Sequence, residues 1–255
     1  MITIFRTLVF GIFRDIHTLF WTIAFPLALL AGLGIYFDDA AYSGRLLAGV
    51  LTMNVLFGAT MVTAFYVMAH RNRGIYKLLR ATPFSTAAFI GAMTGARTAL
   101  TLVVSCCIIT MAVLMLGVTL HVASVGLMFL VLLVGTVCFT AIGYIAANLS
   151  RDEGNVNMIS NLMSFPMLFT SEAFFRLDGA PEWVRIIASL QPFHYFVKAM
   201  GAAIHADTAS ALVWEPLAIL AGFTVLCMTI AILTFRWDAE QAGVRRKRRT
   251  HAVSS

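Results

Sequence analysis

Asn157, Asn161, Ser164 and Ser171 interrupt an otherwise apolar stretch at spacings of four, three and seven residues. At 3.6 residues per turn that spacing puts them close to one helical face. Amides and hydroxyls there either glue helices together or line a path for a solute. Glu172 follows as a lone carboxylate near the end of the same stretch. It could handle a proton or a substrate, or simply pair with Arg176 one turn on. A second set joins Thr52, Thr60 and Thr63 to Met53, Asn54, Phe57 and Met61. Methionine repacks easily, so this set is either a pliable wall for apolar ligands or ordinary packing. No Ser/His/Asp set or pair of acids suggests catalysis, and His121, His194 and His205 fall at segment ends. Cys106, Cys107, Cys138 and Cys227 lie in apolar runs without metal-ligand spacing, and read as small packing residues. The chain has no G-x-x-x-x-G-K-[ST] phosphate loop.

The elements that must position these residues follow from composition. Of 255 residues, 60% are hydrophobic and 12% charged, with a mean hydropathy of +0.88. Soluble domains carry about 25% charged residues. Six weakly charged runs stand out, at 17–37, 43–69, 84–116, 122–149, 156–175 and 211–235. A spanning helix needs roughly 20 apolar residues, and in lipid its backbone must pair internally. The expected fold is an all-α polytopic membrane protein with six transmembrane helices. Residues 1–242 form one transmembrane domain and 243–255 a basic tail. In the first run, Ala24, Ala28 and Gly32 form a small-residue ladder suited to close helix packing.

Lys and Arg set the orientation. With both termini inside, one side collects Arg6, Arg14, Arg71, Arg73, Lys77, Arg80, Arg97, Arg151, Arg236 and the run 245–249. The other side receives Arg45, Arg176, Arg185 and Lys198. The eighteen basic residues thus divide fourteen to four, which puts both termini in the cytoplasm. The net charge of +6 is then a topology signal touching anionic headgroups, not a nucleic-acid footprint. Before the first span, Phe5, Leu8, Val9, Ile12, Phe13 and Ile16 recur at helical spacing. This suits an interfacial helix over 1–16, or a cytoplasmic extension of the first span, rather than a cleaved signal.

Two connections are unusual. In 71–85, Ile75, Leu78 and Leu79 form an apolar edge beside the charged edge of Arg73, Lys77 and Arg80. Pro83 ends this short amphipathic helix and pushes Thr82 towards extended geometry. It is either a topology-setting turn or a docking lever for a cytoplasmic partner. The other connection, 174–198, stays apolar although it is external. Trp183, Ile186, Ile187 and Leu190 share a helical face after Pro181, and Phe193, Tyr195 and Phe196 form an aromatic cluster. Too broken to cross a bilayer, it should form two short helices dipping into the outer leaflet.

At these places the sequence resembles a family, the membrane subunits of type-2 ATP-binding-cassette (ABC) exporters. The resemblance rests on Arg14-Asp15 before Phe20-Trp21 and Pro26, and on Arg73-Gly74 with Leu79-Arg80-Ala81-Thr82-Pro83. It rests also on Asn161 with Phe165-Pro166, then Phe174-Phe175, Pro181-Glu182-Trp183 and Ala188-Ser189-Leu190-Gln191-Pro192 with Tyr195. The ordered set covers most of the chain. Glu172 departs from it, standing where the family usually has a small residue such as glycine.

The resemblance implies a cell-membrane permease working as a dimer or with a sister subunit, on two cytoplasmic ATPase subunits that hold ATP and Mg. The chain itself would carry no cofactor or metal. Residues 1–16 would be the elbow helix. The coupling helix would use Arg71, Arg73, Gly74, Tyr76, Lys77, Leu79, Arg80, Thr82 and Pro83. External re-entrant helices would form the outer gate with Glu172, Phe174, Phe175, Trp183 and Tyr195. The candidate path between spans 2 and 5 comprises Met53, Phe57, Thr60, Asn157, Asn161 and Ser164. The expected cargo is amphipathic, drug-like or lipid-like, or alternatively a lipid-linked glycan. An intramembrane lipid-modifying enzyme would need paired polar groups at depth, and an ion-driven transporter would need mid-span charges or inverted repeats.

Overall fold

The computed structural model describes residues 16–37, 40–75, 86–173, 179–205 and 211–234. Among them are eight helices and no strand. They are α1 (Ile16–Phe37), α2 (Ala40–Asn72), α3 (Thr86–Leu116), α4 (Val122–Leu149), α5 (Glu153–Phe169), α6 (Glu182–Ser189), α7 (Pro192–Ile204) and α8 (Ala211–Thr234). The expected elbow over 1–16, all but Ile16, and the basic tail over 243–255 lie outside the described residues.

By length and composition four stretches can cross a membrane: Tyr42–Asn72, Ile90–Leu116, Val122–Leu149 and Ala211–Thr234. In α1 the shorter stretch Ile23–Tyr36 is apolar. Helix α5 has 17 residues. At 1.5 Å per residue it reaches about 25 Å, against a hydrocarbon core of about 30 Å.

The ends of α5 differ from the sequence expectation of 156–175, and hydrogen bonding explains both. Asp152 caps its start, accepting from the Asn155 backbone N–H at 2.8 Å and from its amide at 3.0 Å. At the other end the helix stops at Phe169, and side chains take up carbonyls of its last turn. Thr170 Oγ1 donates to the Pro166 carbonyl at 2.7 Å, and Ser171 Oγ donates to Leu168 at 2.8 Å. Gln191 Nε2 reaches back to the Met167 carbonyl at 3.1 Å. Ser171 is therefore a cap beyond the helix and not a member of its polar stripe.

Helix α2 is the hub, packed against α1, α3, α4, α5 and α7. Its crossing with α4 is close because of Gly143: a Cβ there would sit 2.5 Å from the Thr60 carbonyl oxygen. Two apolar layers stack along the bundle. One joins Leu46–Ala59 of α2 to the far parts of α3, α4, α7 and α8; the other gathers Ala64, Val67 and Met68 with Ile90, Tyr144, Val156 and Ala231. Met163 and Cys227 touch both layers. Leu162, Phe169, Leu226 and Leu233 point outwards, a surface that would drive association in water but that hydrocarbon tolerates.

Among the described residues the ladder on α1 is only partly covered: Ala24 is half-buried, Ala28 and Gly32 are exposed, and no described residue lies within 4 Å of a Cβ built on Gly32. The contact with α3 falls instead at Gly34, against the Leu116 side chain. After α5 two short helices form, joined by Tyr195 Oη donating to the Ser189 carbonyl at 2.9 Å. The second runs on to Ile204 because Phe193 and Phe196 bury their rings against Phe139, with centroids 5.8 and 5.6 Å away.

Replacing Gly143 with valine should force α2 from α4 and destabilise the protein by about 1–3 kcal/mol. Gly126→Ala, at a position with nothing within 4 Å, is the matched control. Thermal unfolding in detergent checks this: the expected result is a lower midpoint for the first variant and none for the second.

Candidate functional site

The described part of segment 71–85 is its beginning. Helix α2 runs through Asn72, and Gly74 turns the chain with φ of +69°, a conformation glycine adopts without Cβ strain. Ile75 follows; Tyr76, Lys77, Leu79, Arg80, Thr82 and Pro83 lie outside the described residues. The two arginines here face differently. Arg73 is exposed, whereas Arg71 is only 7% exposed. Arg71 Nη1 donates to the Ala147 carbonyl at 3.1 Å, and Nη2 to Asn148 Oδ1 at 3.2 Å. Its cation thus sits on the last turn of α4, where carbonyls lack helical partners and the helix dipole is negative.

Asn148 continues the chain of bonds. Its Nδ2 donates to Thr234 Oγ1 of α8 at 3.2 Å, and Thr234 donates to the Ile230 carbonyl at 2.6 Å. Arginine has only donors, which orients the amide oxygen towards Arg71. Sequence reasoning missed Asn148 and Thr234; the available signal was an asparagine and a threonine each at the polar end of an apolar run. The start of α5 reaches this end through a long contact, Asn72 Nδ2 to Glu153 Oε1 at 3.5 Å on the surface.

Deeper in the bundle, Arg97 is buried. It stands about 16 Å along α3 from Thr86, at 1.5 Å per residue. Its Nη2 donates to the Gly58 carbonyl of α2 at 2.6 Å. The sequence count assigned it to the cytoplasmic side as a charge near the start of the third run; in the structure it is a cation spent on tying α3 to α2. Thr60 Oγ1 donates to the Phe139 carbonyl of α4 at 3.3 Å, so Thr60 belongs to the α2–α4 crossing. Thr52 bonds to its own helix, at the Ala48 carbonyl 2.7 Å away.

Helices α2 and α5 do pack together. Phe57 meets Phe165 edge-on with ring centroids 5.5 Å apart, and Met53 is half-buried. The α5 stripe divides in two. Ser164, with Ser160, is buried, and its hydroxyl has no hydrogen-bond partner among the described residues. Asn157 is exposed and Asn161 half-buried, and Asn161 Nδ2 donates to Asn157 Oδ1 at 2.9 Å. The two amides thus satisfy part of each other while keeping further donors and acceptors towards the outside.

Beyond α5, Glu172 is half-buried and lies close enough to His194 to act on it electrostatically. Its expected partner Arg176, with Phe174 and Phe175, lies outside the described residues. Trp183 is exposed on α6, and Tyr195 is held by the Ser189 carbonyl. The thiols of Cys138 and Cys227 meet across α4 and α8, and both are free cysteines. No group of three potential metal ligands occurs among the described residues.

The Arg71 geometry predicts a contrast between neighbours. Arg71→Ala strands the Asn148 and Ala147 acceptors in a buried site, at a cost of about 1–3 kcal/mol. Arg73→Ala removes an exposed side chain and should stay within about 0.5 kcal/mol. Thermal unfolding of the two purified variants separates the cases.

A search of curated proteins finds no match. The family model for ABC-2 type transporters, however, matches residues 1–204, from before α1 to the end of α7. That range holds the Arg71–Asn148 junction, Arg97 and the α2–α5 face. With most of its length matched and a helical bundle built to cross a membrane, this chain belongs to the ABC-2 type transporter family.

Proposed function

We propose that this multi-pass membrane protein is the permease subunit of an ATP-driven exporter, with ATP and Mg bound on a separate pair of cytoplasmic ATPase subunits. Family membership is the observation that carries the reading. In it, α1 and α5 complete six spans, both termini are cytoplasmic, and the Arg71 end of the bundle faces the cytoplasm. The segment 71–85 serves as the coupling element, with Arg73 turned outwards to the partner. Two permease copies, or this chain and a sister, enclose the route outwards.

The proposed path runs along α2 and α5, past Met53, Phe57, Asn157, Asn161 and Ser164. Its apolar rings and outward amides suit an amphipathic cargo with a hydrogen-bonding head, drug-like or lipid-like. Helices α6 and α7 act as external re-entrant elements, and Glu172, Trp183 and Tyr195 belong to the outer gate. Transport is then a population shift, in which ATP must favour one conformation over the other.

The complex co-purified from its native membrane should hydrolyse ATP, and the isolated chain should not; hydrolysis by the isolated chain overturns the reading. Asn161→Leu and Phe57→Ala should shift the cargo concentration for half-maximal ATPase stimulation by about tenfold, or 1.4 kcal/mol. An unchanged stimulation profile across candidate amphiphiles returns the α2–α5 face to packing. For topology, a cysteine at Glu182 should react with an impermeant thiol reagent from outside and one at Arg73 only from inside, in a background lacking the native cysteines.

A further inference from the structure

We propose that Arg71, Asn148 and Thr234 form a clamp that makes the ends of α2, α4 and α8 move as one body, against which α5 opens. The inference rests on the exporter reading above and adds which helices carry the motion.

The polar groups at this end are joined in series. One amide, Asn148, uses its oxygen for Arg71 and its nitrogen for Thr234, while Thr234 passes its own proton to Ile230. Three helices are therefore held by one run of bonds, from Arg71 to Asn148, from Asn148 to Thr234 and from Thr234 back into α8. They are also buried: Arg71 and Asn148 are 7% and 3% exposed. Drawing α2 away from α4 would strip acceptors from a buried guanidinium and leave the α4 carbonyl end without its cation, and both losses are steep where water is scarce. Moving α4 along with α2 avoids them.

Arg71 lies immediately before the Arg73–Gly74 turn, which is bonded onto α2: the Gly74 N–H donates to the Arg71 carbonyl and the Arg73 N–H to Ala69, both at 3.1 Å. Force on the segment beyond Gly74 thus arrives at Arg71 first. The link to α5 at this end is of another kind, a surface contact of 3.5 Å between Asn72 and Glu153. Such a contact in water holds little. Polar bonds thus tie α2, α4 and α8 at this end, whereas α5 is joined to α2 by apolar packing and that surface contact. Such a seam can slide without stripping a buried polar group, so the moving seam is the α2–α5 face.

The test uses the complex with its ATPase subunits in lipid, with Cys106, Cys107, Cys138 and Cys227 replaced. Two cysteine pairs are introduced singly, Asn148→Cys with Thr234→Cys, and Phe57→Cys with Phe165→Cys, each closed by oxidation and reopened by a thiol reductant. Bridging 148 to 234 should leave ATP hydrolysis within about twofold of the reduced complex, because those ends never part. Bridging 57 to 165 should lower it at least about tenfold, reversibly.

Asn148→Leu, placed in the 57–165 background, should release that stall, since hydrolysis no longer has to drag the bundle. Asn148→Asp, which keeps the Arg71 acceptor, should release it less. Loss of hydrolysis on bridging 148 to 234 overturns the clamp, and so does a full stall in a folded Asn148→Leu complex. If the unmodified complex shows no ATPase, the exporter reading itself falls and the clamp with it; if it hydrolyses ATP and the 57–165 bridge forms without affecting it, the clamp is overturned while the exporter reading stands.

Discussion

A chain placed in hydrocarbon has no solvent to satisfy its polar groups, and each buried backbone donor or acceptor must find a partner in the protein. Regular helices meet this demand along their length but not at their ends, where carbonyls are left over. The described structure answers with side chains, two of them from distant parts of the chain. Arg71 covers the end of α4, Gln191 the end of α5, and Asp152 the start of α5. These caps fix helix lengths, and they also fix which helices lie together.

The same constraint shapes the interior. Arg97 in mid-bundle is expensive unless spent, and its short bond to the Gly58 carbonyl ties α3 to α2. Thr60 does the same between α2 and α4 beside Gly143, where only a glycine lets the backbones approach. Helix α2 thereby becomes the element to which α3 and α4 are pinned. Packing alone would join apolar helices without much preference for register, because lipid tails are as apolar as the helix faces. The polar ties choose the register.

This division of labour bears on transport. Polar groups used up in ties, such as Thr60 and Arg71, are committed to holding helices. Those left with hydrogen-bonding capacity facing outwards, the Asn157 and Asn161 amides, are free to meet a solute or a second subunit. A membrane protein that changes shape needs both kinds, and here the first lie between α2 and α4 and the second on α5.

The sequence by itself determined the class of protein, the helical content and most of the boundaries. Apolar run length and internal backbone pairing leave few alternatives, and α4 falls on the expected residues. The basic, proline-ended segment after α2 and the aromatic segment before α8 were legible as motifs, which is why the family resemblance was visible. Side-chain direction was not legible. Asn157 and Ser164 share a stripe by spacing, yet one faces outwards and the other is buried. Arg71 and Arg73 read alike as loop cations, yet one caps α4. The small ladder of α1 read as a packing face, yet among the described residues it meets nothing at Gly32. Periodicity gives the angle of a residue around its own helix. Which neighbour stands at that angle depends on crossings set by Gly143, Arg97 and Asn148 together, and only the tertiary structure decides those.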